Sequence, residues 1–319
     1  MDDVRRTRRQ DGFLPGGVTF HGLLRAGVCC LSLGRGARRS ILAGEAEVVS
    51  MDMPVPGLGR GLSGARLVHL TDLHCGPLVP PRFLRRCVAQ ANALEPDFVV
   101  VTGDLITVGQ RRVARAVADI LADLSPSIAA LAVLGNHDYG LWHPNGFGGV
   151  PGLAEYMTAC LDDAGVIVLN NESRDFFRGG SGLQFAGTED VWTNRYDPDR
   201  AFKTVRPGVP VIGLVHNPDA AADFAGRGAQ WILAGHTHGV RSRDTRLRDA
   251  LFPAGHRRFV AGRYDLGGGV GLYVNCGLGH GPRRRLPGRR TEIAQFRLVP
   301  GPPGTEANAH ARGSVGAGT

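Results

Sequence analysis

Lysine is almost missing from this 319-residue chain: Lys203 is the sole one, and arginine supplies the rest of the 37 basic residues. Against 29 acidic residues this leaves a net charge of +8. Such an excess suits a nucleic-acid or anionic-lipid surface, but an arginine-biased composition accounts for it as well. No stripe of basic residues interleaved with aromatics is present, so the base-stacking signature of a single-strand binder is missing. No run of 18 apolar residues occurs, so no transmembrane helix is expected. The six cysteines (Cys29, Cys30, Cys75, Cys87, Cys160 and Cys276) form no C-x-x-C pair. Cys87 and Cys160 fall on apolar helix faces and read as small core residues. A reduced, cytoplasmic setting fits this pattern best, although the even count leaves disulfides open.

What is there begins unevenly. Arg5, Arg6, Arg8 and Arg9 precede a short semi-apolar run, Gly22 to Gly34, broken by Arg25. This reads as a basic leader without structure, or as residues upstream of a true start at Met51, with a poor export signal as the alternative. Residues 1–47 are Gly- and Arg-rich without a sustained period, and residues 300–319 have the composition of a disordered tail. Between them, residues 48–299 read as one domain without internal repeats. Its hydrophobic fraction over the whole chain, 43%, suffices for a core without disulfides.

Short apolar segments bounded by Gly, Pro, Asn or Asp predict buried strands at Arg66–Leu70, Asp97–Thr102, Ala129–Leu134, Pro210–Val215 and Gln230–Ala234. Helices are expected between them. Pro80 and Pro81 open one, with Phe83, Leu84, Cys87, Val88 and Ala91 on one face. A second carries Val113, Val117, Ile120, Leu121 and Leu124. A third carries Leu153, Tyr156, Met157, Cys160 and Leu161, closed by Gly165. A shorter one spans Pro218 to Gly226. Later strands, Leu183–Ala186, Gly271–Asn275 and Glu292–Leu298, come without clear helices. The mixture implies α/β layers with partly antiparallel sheet.

The informative residues follow the strands. Five strands end in Thr71-Asp72-Leu73-His74, Gly103-Asp104, Gly135-Asn136-His137-Asp138, His216-Asn217 and Gly235-His236-Thr237-His238. Ligands of open α/β sheets bind at the carboxyl ends of strands, so five loops would converge on one place. In extended chain Asp72 and His74 point the same way and can grip one ion, and His236 and His238 repeat that spacing. His69 has the opposite parity and reads as a packed or surface histidine. Gly103, Gly135 and Gly235 permit tight turns. Imidazoles, carboxylates and an amide oxygen suit Mn, Fe, Zn or Ni rather than Ca. Two divalent ions against the carboxylates of Asp72 and Asp104 would leave a positive surplus able to hold a phosphoryl group and a hydroxide. Asp-x-His or Gly-Asp alone is at chance level, Gly-Asn-His-Asp alone could be a capped turn, and Gly-His-Thr-His alone is moderately specific; all five in this order, each after an apolar strand, make a strong signal.

This ordered set resembles the calcineurin-like metallophosphoesterases, over roughly Ala65 to Leu298. The flanking text Leu-Thr-Asp-Leu-His, Pro-Asp-Phe-Val-Val-Val-Thr-Gly-Asp, His-Asn-Pro-Asp and Leu-Tyr-Val-Asn-Cys-Gly-Leu-Gly is similar to the bacterial membrane-associated phosphodiesterase branch. Some members of that branch are UDP-2,3-diacylglucosamine hydrolases. The resemblance implies a four-layer α/β/β/α sandwich with two central mixed β-sheets. It also implies a phosphodiesterase or pyrophosphatase with two divalent metal ions, Mn, Fe or Zn. Asp72, His74, Asp104 and His238 would hold one ion. Asp104 would bridge to a second, completed by Asn136, His216 and His236. A hydroxide shared by both ions would attack phosphorus, and His137 would donate a proton or hydrogen bond to the departing oxygen. The substrate would be a phosphate ester, lipid- or nucleotide-linked, met in the cytoplasm or by peripheral contact with a membrane.

The chain departs from the family in two places. Members often carry an acidic residue three positions after the bridging Asp, where this chain has Thr107; the orientation of His137 is therefore expected to suffer. Members of the branch often continue Gly-His-Thr-His-Gly as Gly-Gln, where this chain has Val240-Arg241. Weaker candidates complete the set. Cys75 is expected to pack rather than bind metal. Asp138 either orients His137 or caps its own turn. His143 and His280 sit in Gly/Pro-rich loops that could rim a cleft. Arg241, Arg243 and Arg283 to Arg285 are mostly solvated, with one, Arg241 for example, free to clamp phosphate. A nuclease, for which nucleic acid would be the partner, and a non-catalytic interaction protein on this scaffold are the competing readings. The first needs the positive charge in a stripe, and the second is expected to have lost ligands.

Overall fold

The computed structural model describes residues 45–142, 148–239, 258–279 and 291–302. The leader up to residue 44, the tail from 303, Cys29, Cys30, His143, Arg241, Arg243, His280 and Arg283 to Arg285 lie outside these residues.

Two six-stranded sheets stack face to face. The first has the order β1-β12-β2-β3-β4-β5, from β1 (Glu47–Val55), β2 (Arg66–Leu70), β3 (Phe98–Thr102), β4 (Ala129–Val133), β5 (Val166–Val168) and β12 (Glu292–Pro300). The second has the order β10-β11-β9-β8-β7-β6, from β6 (Glu172–Arg178), β7 (Ser181–Gly187), β8 (Val211–Leu214), β9 (Trp231–Ala234), β10 (Gly262–Asp265) and β11 (Gly271–Val274). Each sheet is mixed. The runs β2-β3-β4-β5 and β7-β8-β9-β11 are parallel, while β12 on β2, β6 on β7 and β10 on β11 are antiparallel.

The period-2 alternation of the strands builds the layers. Leu67, Phe98, Val100, Leu131 and Val133 face between the sheets, against Leu183, Phe185, Ile212, Leu214, Trp231, Leu233 and Tyr273. Their neighbours Val68, Leu70, Val99, Val101, Ala130 and Ala132 face outward, under the helices α1 (Pro81–Asn92), α2 (Arg111–Leu121) and α3 (Leu153–Asp163). On the far side Ile232, Ala234, Leu272 and Val274 take Phe224 and Ala221 of a short helix, Ala221–Gly226. Three cores between four layers make the α/β/β/α sandwich expected from the sequence.

The predicted apolar helix face, Phe83, Leu84, Cys87, Val88 and Ala91, is the buried face of α1, and Pro81 occupies its first turn, where a missing N–H costs nothing. Gly165 follows α3 at φ 77°. Four strands, β1, β5, β6 and β10, and the helix Pro198–Phe202 were not anticipated. β1 is half exposed and owes its form to parallel pairing with β12, which is remote in sequence.

His69 packs rather than facing solvent. It is fully buried on the inter-sheet side of β2, with Nε2 2.7 Å from Thr102 Oγ1. Burial pulls its pKa down to about 3. The folded state thus keeps His69 neutral, while the unfolded chain takes up a proton below about 6.5. This contribution to stability is complete above pH 6.5 and declines as pH falls towards 3, by about 1.4 kcal/mol per pH unit. In His69→Gln, the acid side of a stability-against-pH curve from denaturant titrations is expected to flatten by one proton. An unchanged slope would contradict the assignment.

Candidate functional site

β2, β3 and β4 of one sheet and β8 and β9 of the other end at the same edge of the sandwich, and the five polar loops follow them there. Backbone hydrogen bonds lace these loops together. Asp72 N–H donates to the Gly103 carbonyl, His74 N–H to Asp104, Cys75 N–H to Leu105, and Gly235 N–H to His216.

Side chains from all five loops meet. Asp72, His74 and His238 form one group, and Asp104, His216 and His236 another; within each, the donor atoms lie within 4.8 Å of one another. His74 Nε2 stands 3.5 Å from Asp104 Oδ2, and His216 Nε2 stands 3.3 Å from the same oxygen, so Asp104 sits between the groups. His238 Nε2 lies 3.4 Å from Asp72 Oδ1 and 3.0 Å from His74 Nε2. His236 Nδ1 lies 3.1 Å from His216 Nε2. Asn136 is anchored by its Nδ2, which donates to the Leu141 carbonyl at 2.8 Å. That leaves Asn136 Oδ1 buried without a hydrogen-bond partner, as is Asp72 Oδ1. His137 Nε2 is 3.9 Å from Asp104 Oδ2, and its ring packs edge-on against His74.

The donor set fits a cation. His216 Nδ1 lies 2.8 Å from the Thr102 carbonyl, which can only accept, so in the neutral ring the proton sits on Nδ1. The bare Nε2 then faces the Asp104 carboxylate and a nitrogen of His236. Lone pairs do not converge in a buried place without positive charge between them. Burial would raise the Asp104 carboxyl, but the imidazoles of His216 and His137 outweigh it and hold the group well below its usual range. Burial would lower His216, yet Asp104 drives it well above the histidine range. Both directions say that this place attracts positive charge. Among the described residues no arginine or lysine pairs with Asp72 or Asp104, so the positive charge falls to the imidazoles and to a cation that these groups could hold.

Asp72 and His74 do not lie in extended chain. Asp72, His74, Asp104, His236 and His238 have φ of 49°, 47°, 52°, 69° and 51°, in the left-handed region that side chains avoid. Each such residue costs on the order of 1–3 kcal/mol and persists where surroundings enforce it. Gly235 does not have positive φ; it is required because a Cβ there would collide with the Thr71 hydroxyl and the Asp72 carboxylate.

His137 is oriented by a backbone carbonyl rather than by a carboxylate at position 107. Its Nδ1 lies 3.1 Å from the backbone carbonyl of Thr107, while the Thr107 hydroxyl donates to the His74 carbonyl at 2.8 Å. Position 107 thus serves through its backbone, and the loss expected from the missing carboxylate does not arise from orientation. Burial, partly offset by Asp104, brings the His137 pKa down to about 4. Asp138 is fully buried and does not reach the His137 ring. It accepts from the backbone N–H of Leu105, Ile106 and Gly135, tying the loop after β3 to the loop after β4. Burial and the Asp104 charge push its carboxyl up to about 7. Cys75 packs in the outer core, and burial pushes its thiol up to about 11. The four described cysteines, Cys75, Cys87, Cys160 and Cys276, are buried and form no disulfide.

Sequence reasoning passed over three contributors. Asn275, after β11, donates to the His69 carbonyl and accepts from Gly277 N–H. Its loop returns Leu278 and Gly279 N–H to the carbonyls of Thr71 and Asp72. The text Asn-Cys-Gly-Leu-Gly after an apolar strand was a signal for it. Trp142 packs edge-on against His137, and Trp192 against His236, with ring centroids 4.6 and 4.9 Å apart. A lone tryptophan in a loop carries no comparable signal.

These clusters of carboxylates and imidazoles, at the strand ends of an α/β/β/α sandwich, are candidate metal-holding groups. The chain belongs to the calcineurin-like phosphoesterase family, whose pattern matches residues 65–240. It is 32% identical over 247 residues to a transmembrane protein with metallophosphoesterase domain of Danio rerio, covering 73% of this chain and 53% of that one. The chain thus spans about half the length of that relative. It is 27% identical to the uncharacterized metallophosphoesterase YkuE of Bacillus subtilis, over 92% of this chain and 98% of the relative. It is 23% identical to the UDP-2,3-diacylglucosamine pyrophosphatase LpxG of Chlamydia muridarum, over 60% of this chain and 69% of the relative. Among the described residues no helix is long and apolar enough to cross a membrane.

Asp138→Ala would strand three buried N–H groups, at about 1–3 kcal/mol for each. A clear fall in melting temperature is expected. A melting temperature equal to that of the parent chain would show that the stitch between the two loops is unimportant.

Proposed function

We propose that this chain hydrolyses phosphodiester or pyrophosphate bonds with two divalent ions, Mn, Fe or Zn. The carrying observation is the buried convergence of Asp72, Asp104, His74, His216, His236 and His238, with no arginine or lysine among the described residues paired to the carboxylates. Asp72, His74, Asp104 and His238 would hold one ion, and Asp104, Asn136, His216 and His236 the other. Bound there, the ions would supply Lewis-acid charge for the phosphoryl oxygens and acidify water.

The chain's own residues do the rest. Asp104 is placed between the two groups, so one carboxylate sets their separation. The Thr107 carbonyl fixes a proton on His137 Nδ1, leaving Nε2 to take up a proton and return it to the departing oxygen. Trp142 and Trp192 pack on His137 and His236 and restrict water. The domain carrying this chemistry is residues 48–299. The LpxG relationship supports a lipid- or nucleotide-linked substrate, met by peripheral contact with a membrane surface.

Elemental analysis of the wild-type chain is expected to find close to two metals. Asp104→Asn should lose metal from both places and with it the hydrolysis of bis-p-nitrophenyl phosphate. Full activity under excess chelator would overturn the proposal. His137→Gln should slow alkyl esters by roughly 10²–10⁴-fold, the usual range for general acid–base help. Nitrophenyl esters, whose leaving oxygen is stable as an anion, should slow far less. Equal losses on both ester types would remove His137 from proton transfer.

A further inference from the structure

Beside the metal-binding groups lies a groove of 740 Å³, lined among others by Tyr139, Leu141, Val150, Trp192, Asn194 and Arg195. It is continuous with the site through two elements. Tyr139 and Leu141 belong to the turn that carries Asn136 and His137, and the Leu141 carbonyl holds the Asn136 amide. On the opposite wall, the Trp192 ring stands against His236.

That wall is built rather than incidental. Asp190, buried, accepts from Trp192 N–H through its side chain and from Thr193 through its carbonyl. Asn171, also buried and at φ 57°, donates to the Arg195 carbonyl and accepts from the N–H groups of Glu189 and Asp197. Val150 N–H is bound by the Tyr139 carbonyl, which joins the other wall to the site turn. The groove's volume falls within the range of about 300–1,000 Å³ typical of ligand pockets, and Leu141, Val150, Pro151, Val191 and Trp192 give it an apolar part beside its polar lining residues.

Its charge decides what it can take. Arg195, the one cation among the described lining residues, is paired with Glu155, another lining residue, and with Glu189. Among its described lining residues the groove therefore has no unpaired cation to offer a second phosphate or a polyanion. The Tyr139 side chain is 7% exposed, and its hydroxyl is buried without a hydrogen-bond partner. One donor is thus left for an uncharged oxygen.

We infer that this groove is the subsite for an uncharged, largely apolar organic group esterified to the phosphoryl group under attack. The inference rests on the proposed hydrolase reading and narrows its substrate class to small organic phosphodiesters, away from nucleic-acid chains. Aryl rings and short alkyl chains share the required chemistry.

The test uses the full chain loaded with metal, and calorimetric titration with dimethyl, diphenyl and dihexyl phosphate. Diphenyl or dihexyl phosphate should bind at least about tenfold more tightly than dimethyl phosphate, as burial of an apolar group of that size implies. Which of the two leads tells a ring from a chain. Asn194→Trp, an exposed position at the mouth, should reduce that preference to about twofold or less. Equal affinities for all three in the wild type, or a preference unaffected by Asn194→Trp, would overturn the subsite. Tighter binding of an oligothymidylate than of diphenyl phosphate would overturn it too and return the nuclease reading. Failure of every phosphodiester to bind a chain shown to carry two metals would overturn the hydrolase reading and the subsite with it.

Discussion

Asp72 and Asp104 are buried carboxylates held at the meeting edge of two sheets, and the surrounding structure answers the cost of placing them there. Desolvating a carboxylate is expensive unless hydrogen bonds and opposite charge meet it. Asp72 Oδ2 accepts from the Thr71 hydroxyl and from His236 N–H, and Asp104 Oδ1 accepts from His137 N–H. Each of these donors belongs to a loop that also delivers a ring or amide to the site. The same bonds that satisfy the carboxylates therefore set the positions of the groups around them. The charge itself remains to be met, and imidazole nitrogens aimed at the carboxylates are suited to share that charge with cations.

The left-handed backbone at five of these residues follows from the same demand. A strand end that kept its pleat would send side chains alternately to the two faces of the sheet, away from the gap between sheets. Turning Asp72, His74, Asp104, His236 and His238 into the left-handed region brings them to the edge instead. The strain is offset by bonds between loops, including the Asp138 carboxylate and the return of Leu278 and Gly279 onto the loop after β2. Site stability and fold stability are coupled through these contacts.

The organic part of a substrate meets a different physics. Where the candidate metal-holding groups gather charge, the adjoining groove mixes apolar side chains such as Leu141, Val150 and Trp192 with polar ones, and its Arg195 is already paired with Glu155 and Glu189. Discrimination would come from shape and burial, while attraction for the phosphoryl group would come from ions held by the proposed site. Trp142 and Trp192 stand at the border between the two environments, against His137 and His236.

The sequence by itself determined the strands of alternating apolar residues, the faces of the three long helices and the order of five polar loops. Local patterns suffice for these because periodicity and turn chemistry act over a few residues. Phe83 to Ala91 on one helix face, and Gly-His-Thr-His after an apolar strand, are readable without a partner in space. Only the tertiary structure decided the rest. β1 exists through its pairing with β12, His137 is oriented by a carbonyl at Thr107 rather than by a side chain, and Asp138 stitches loops instead of serving the histidine. Trp142 and Trp192 reach the site from separate loops. In each case the partner lies far along the chain, or the contact is made by backbone atoms that every residue carries, so side-chain identity leaves no signal for it in the sequence.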